Sequence, residues 1–141
     1  MTEPVFVLGG WQSDFAERAG DGGFYGLLEA ATNGALEEAD LTPADIEVAH
    51  IGNLAGELTC FQAQLGGLLV SIHPDFMGLP TSRHEAACAS GSLAAMAGAA
   101  EIEARRYDVA LIAGAEILRN VGGQRAAELV SCAGWAGRDA F

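Results

Sequence analysis

The sequence predicts an α/β domain, with helices layered on a mainly parallel sheet and joined to it by right-handed crossovers. Three observations carry this. Short apolar runs alternate with longer stretches of helical periodicity along the chain. The run Val109–Ala113 is apolar without polar alternation, which suits a strand covered on both faces of a parallel sheet. Alanine (27) and glycine (19) make up about a third of the 141 residues, so elements can approach one another closely.

Val5–Leu8 reads as a first strand, ended by Gly9-Gly10. The stretch through Gly26 is glycine-rich, mixed in charge, and reads as a loop. Its Gly20–Gly26 part looks superficially like a dinucleotide loop, but the glycine spacing is wrong and no strand runs into it. From Leu27 to Ala39, Leu27, Leu28, Ala31, Ala35 and Leu36 recur at helical spacing, with Glu29, Glu37 and Glu38 elsewhere on the wheel. Thr42 as N-cap, Pro43 at the first helical position and Asp45 at the positive end predict a one-turn helix. It feeds a strand over Val48–Asn53. A second helix is predicted over Thr59–Ile72, with Phe61, Leu65, Leu68, Leu69 and Ile72 as its buried stripe and His73-Pro74 as its stop. After the Met77–Pro80 turn, Thr81–Ala87 is extended. Ser90–Arg106 is a long helix, and the strand Val109–Ala113 ends at Gly114.

Composition narrows the function. Half of the residues are hydrophobic, 18% are charged, and mean hydropathy is +0.24, which describes a packed globular body. Nineteen acids against seven bases give a net charge of −12, and every base is arginine. Without lysine there is no Walker-type phosphate loop, no Schiff-base enzyme and no lysine general base. The negative charge opposes nucleic acid and anionic membranes as partners. Three cysteines with no CxxC pair argue against a disulfide framework and against a thiolate metal site. The start MTEPVFVLGG lacks a basic n-region, so no signal peptide is expected. The longest uncharged stretch, Ala86–Ala100, falls short of the roughly 20 apolar residues of a membrane span. The expectation is a cytoplasmic protein.

The helix Ser90–Arg106 is the most informative element. From Leu93 to Ala100 it is apolar or small around its whole circumference, and a helix without a polar face is expected to be covered on all sides. Charge enters only at its C-terminal end, with Glu101, Glu103, Arg105 and Arg106, so the N-terminal end is expected to run deep. At that end stands Cys88, between an extended segment and the helix start, with the small neighbours Ala87, Ala89 and Gly91. Unpaired N–H groups and the helix dipole favour a thiolate in such a place, and the same groups can receive negative charge developing on a carbonyl oxygen. The residues alone also allow Cys88 to be a small buried hydrophobe. Cys60 and Cys132 read as packing residues, and His50 and His84 as strand-end or loop histidines.

Glu85–Gly91 (EAACASG), the Ala-rich helix and the following Tyr107–Glu116 (YDVALIAGAE) together resemble the thiolase superfamily. Leu41–Ile46 is similar to that family's linker before its second strand. Gly122-Gly123-Gln124 through Cys132–Trp135 resembles the sterol-carrier-protein type of thiolase. The resemblance implies a thiolase-like layered fold, with residues 1–119 as an N-terminal α/β domain and 120–141 as the start of a loop region. It implies acyl transfer on coenzyme A thioesters: Claisen condensation or its thiolytic reversal. Cys88 would take the acyl group as a thioester, and its backbone N–H would help hold the oxyanion. Coenzyme A enters as substrate, and no cofactor is held tightly. A homodimer through about Pro80–Ala87 is implied as well.

The family's activating histidine in a Gly-His-Pro turn, its second cysteine and its asparagine or histidine site have no match here. The one His-Pro, His73-Pro74, follows Ile72 and is misplaced. The 141 residues alone are therefore expected to fall short of turnover, as a fragment or as one chain of a pair. Two alternatives share the fold. One is a β-ketoacyl synthase-type condensing enzyme, and the other a non-catalytic or lyase-like homologue working with a partner in sterol side-chain degradation.

Overall fold

Three parallel strands, β1 (Val48–Gly52), β2 (Thr81–His84) and β3 (Ala110–Gly114), lie in the order β2–β1–β3. His50 stands opposite Ser82 on one side and Ile112 on the other. The structure, a computed structural model, describes residues 4–15, 22–135 and 137–138. Every residue of β1 is buried, as the central strand of a parallel sheet requires.

Side chains alternate across a strand, and this sorts the helices into two layers. Ala49, Ile51 and Leu111 point into the main core, where α1 (Gly23–Ala39) brings Phe24, Leu28 and Leu36. Leu65, Leu69 and Phe76 from the β1–β2 connection complete that side. His50 and Ile112 point to the opposite face, which α4 (Ser90–Glu103) covers. The result is the α/β/α layering that the pattern predicts.

α4 sits close on the sheet because glycine meets glycine. A Cβ on Gly52, at the end of β1, would lie 2.7 Å from the Cα of Gly91 in the first turn of α4. A Cβ on Gly114 would lie 2.7 Å from the carbonyl oxygen of Gly52. Lower down, a Cβ on Gly98 would meet Ile112 at 2.7 Å and the His50 ring at 3.4 Å.

Several elements depart from the sequence expectation. Val5–Leu8 forms no strand. Gly9 packs so tightly on the C-terminal end of α1 that a Cβ there would lie 2.7 Å from the Ala39 nitrogen. That anchor holds the segment beside β3 without ladder bonds, and together they line a cavity of about 490 Å³. α1 begins at Gly23, so the end of the predicted loop is the first helical turn, while residues 16–21 lie outside the described residues. The helix predicted over Thr59–Ile72 is broken into α2 (Gly56–Thr59) and α3 (Leu68–Ile72). Phe61, expected in its buried stripe, has φ +58° and is 93% exposed. The chain bends there, residues 62–64 are not helical, and the path turns helical again only at the 3₁₀ turn Leu65–Gly67, which runs into α3.

The capping residues behave as expected. The Asp45 carboxylate accepts from the Thr42 N–H (2.8 Å) and hydroxyl (2.6 Å), which hold it below its ordinary range, side-chain bond first. The 120–135 stretch, expected as loop, contains the helix α5 (Gly123–Ser131), which buries Leu129. α4 itself is covered on one stripe only, Ser90, Ala94 and Gly98. Met96 is 68% exposed, so the expectation of a fully enclosed helix fails within these residues, because no described element reaches its outer face. Among the described residues, no helix is long and apolar enough to cross a membrane.

The glycine contact sets a first prediction. Gly52→Ala pushes backbone against backbone and should cost about 1–3 kcal/mol, as overpacking does. A thermal melt should show a fall of several degrees; an unchanged midpoint would contradict the close seat of α4.

Candidate functional site

The C-terminal ends of the three strands converge at one edge of the sheet, where open parallel α/β sheets build their sites. β2 passes through Glu85 and Ala86 into a 3₁₀ turn, Ala87–Ala89, and that turn runs directly into α4. Cys88 is at its apex and exposed. The first N–H groups of α4 have no partners within the helix and carry the positive end of its dipole, and the helix begins two residues after Cys88.

The turn is strained and held from several sides. Ala87 has φ +49°, a left-handed conformation that costs a non-glycine residue about 1–2 kcal/mol. Glu85 Oε1 accepts its N–H at 2.6 Å. Buried Ser90 accepts from the Ala86 N–H at 3.0 Å and donates to the Ala87 carbonyl at 2.7 Å. Strain of this kind persists only where the surroundings over-determine it.

Two side chains that sequence reasoning gave no role bind the neighbouring strand ends together. Asn53, fully buried just past β1, donates to Glu116 Oε1 (2.6 Å) and to the Ala115 carbonyl (2.8 Å), and accepts from the Gly56 N–H (2.8 Å). The same Glu116 oxygen accepts from the N–H groups of Leu54 and Ala55. The loops after β1 and β3 are thus one unit. β2 joins it through Arg83, which donates to the carbonyls of Asn53 (3.3 Å) and Leu54 (3.0 Å) and pairs with Glu57. Partial burial pushes the Glu57 carboxyl up, but its own backbone N–H and Arg83 outweigh this and hold it below its ordinary range. The signal available in sequence was slight: an Asn and a Glu, each just past an apolar strand.

The other expected residues fall as follows. Cys60 is half-buried against the core and donates to the Gly56 carbonyl at 3.2 Å, a packing role as read. Cys132, also read as packing, is exposed at the end of α5. His84 closes β2, as read. His50 is no strand-end residue: it lies in the middle of β1, 4% exposed, bonded to Ser82, His84 and Glu101. His73 accepts from the Asp75 N–H in the turn after α3. Among the described residues no histidine is hydrogen-bonded to Cys88, and no group of three His, Cys, Asp or Glu could hold a metal ion. The cavity at the β3 edge does not include Cys88.

Residues of this chain are 32% identical over 117 positions to an acetyl-CoA acetyltransferase of Methanothermobacter thermautotrophicus, covering 83% of this chain and 30% of that protein. An acetyl-CoA acetyltransferase of Methanocaldococcus jannaschii is likewise 32% identical over 117 residues, 83% of this chain and 29% of its own length. The chain therefore spans under a third of these curated relatives. No family model matches it.

The strand-end unit generates a second prediction. Glu116→Ala removes the acceptor shared by three N–H groups and should destabilise by about 1–3 kcal/mol in a urea titration. Glu116→Gln, which keeps an acceptor oxygen, should recover most of the loss; equal loss in both would mean that the hydrogen bonds do not carry it.

Proposed function

Because this chain is distantly related to the thiolase family, we propose that it is the N-terminal portion of a thiolase-type acyltransferase in which Cys88 carries the acyl group. The observation that supports this most is the placement of Cys88, exposed at the apex of a strained strand–turn–helix elbow. In the first half-reaction, Cys88 Sγ attacks the carbonyl carbon of an acyl-coenzyme A thioester. The carbonyl oxygen takes up the negative charge beside the amides at the start of α4, as in an oxyanion hole. The tetrahedral species collapses, the C–S bond to coenzyme A breaks, and the departing coenzyme A thiolate takes up the proton that the Cys88 thiol gives up. The product is an acyl-Cys88 thioester. Covalent capture divides one difficult transfer into two easier ones. In the second half-reaction a carbanion equivalent, or coenzyme A in the reverse direction, attacks that thioester.

A homodimer across β2 accompanies this reading, since β2, like β3, is an edge strand of the described sheet and lies within Pro80–Ala87. A second reading, a non-catalytic homologue that works with a partner chain, draws support from the absence of a histidine bonded to Cys88 among the described residues.

The test is acyl trapping. Incubation with acetyl-coenzyme A followed by peptide mass spectrometry should find the acetyl group on the Cys88 peptide, and Cys88→Ser should abolish it. Acetylation confined to Cys60 or Cys132, or none at all, would favour the second reading.

A further inference from the structure

A dense array of ionisable side chains lies between the sheet and α4, below the Cys88 turn. His50 Nδ1 is 2.8 Å from Ser82 Oγ and 2.9 Å from His84 Nε2, and those two atoms are 2.8 Å apart. On the other side of the ring, His50 Nε2 is 3.0 Å from Glu101 Oε2. One buried imidazole thus ties β1 to β2 and to α4, the two elements that flank the Cys88 turn.

Proton counting shows how the array responds to acid. The Glu101 carboxylate only accepts, so His50 donates to it through Nε2–H and turns the lone pair of Nδ1 toward β2. The donors then run from His84 to Ser82, from Ser82 to His50, and from His50 to Glu101. One added proton fits: with His50 protonated, its Nδ1–H points at the lone pair of His84 Nε2. A second proton leaves two cationic N–H groups facing each other across 2.9 Å, so the rings must separate.

The charged group that faces the pair from α4 is Glu101; Arg106, just past the end of that helix, lies 3.6 Å from the second Glu101 oxygen. β3 contributes apolar Ile112 beside Gly98. Glu85, next to His84, turns its carboxylate to the Ala87 N–H instead. Burial first, and the His50 charge second, lower the pKa of His84 from its ordinary 6.5, with Glu101 acting the other way. The sign follows: the contact is fully present above about pH 6.5 and is lost as pH falls through the lower folded-state value.

We propose that His50 and His84 are positioning residues for Cys88: they lock β2 to α4 beneath its turn, and double protonation releases the lock and makes the thiol less reactive. The functional meaning rests on Cys88 being the reactive thiol of the preceding section.

The experiment follows iodoacetamide alkylation of the Cys88 peptide by mass spectrometry between about pH 7.5 and 5, the range in which histidine titrates. Each rate is divided by that of N-acetylcysteine in the same buffer, which removes the ordinary thiol titration. The wild-type ratio should fall several-fold across that range. In His84→Gln, which keeps an amide at the site and cannot titrate there, the ratio should stay flat. A flat wild-type ratio, which needs no variant to fold, would overturn the proposal, and so would a fall that survives in His84→Gln. Alkylation requires no acyl transfer. A chain that takes no acetyl group yet shows the profile keeps the lock and loses the enzyme reading, and an acetylated chain with a flat profile does the reverse.

Discussion

The arrangement depends on one close contact, the backbone of α4 resting on the backbone of β1 where Gly52 meets Gly91. Nothing larger than hydrogen fits at Gly52. The contact fixes how far the first turn of α4 stands from the sheet, and therefore where the 3₁₀ turn carrying Cys88 emerges. Gly114 extends the seam by bringing the end of β3 against the carbonyl of Gly52. Three glycines from three elements thus bring the strand ends and the helix mouth to one place.

Polar contacts then fix what close packing allows. Above the seam, Asn53 and Glu116 join the loops after β1 and β3, and Arg83 joins β2 to them. Beneath it, His50 joins β1 to β2 and α4. With the sheet edge held on both sides, Ala87 can stay in a conformation that alanine disfavours, as a nucleophile elbow demands. Here rigidity comes from the scaffold that holds both ends of the turn.

Legibility in the sequence followed the range of the interactions. The strands around Val48–Gly52 and Ala110–Gly114, the body of α1, the Thr42–Asp45 cap and the start of α4 are set by local periodicity or capping chemistry, and the sequence shows them. What escaped depends on distant residues. Val5–Leu8 has the composition of a strand, but Gly9 is anchored to Ala39 and the ladder does not form. Phe61 sits at the right spacing for a buried stripe, yet its backbone is left-handed and leaves the helical path. α5 was hidden in a glycine-flanked stretch, although Ala126, Leu129 and Val130 with the Arg125–Glu128 pair trace a helical face. At the site, Cys88 announced itself through its neighbours. The roles of Asn53, Glu116 and His50 arise from contacts more than 30 residues apart in sequence and leave no local pattern.

The outer face of α4, with Leu93 and Met96 exposed, matches a helix whose sequence lacks any polar face. The sequence and the described structure differ here in what covers the helix, and its placement on β1 comes from the structure alone. That placement is tested most directly by a nuclear Overhauser measurement between the α protons of Gly52 and Gly91. A strong cross-peak is expected, since the α proton of Gly52 points at the Gly91 backbone. Its absence in a folded sample would mean that α4 is not seated on β1, and the position assigned to Cys88 would go with it.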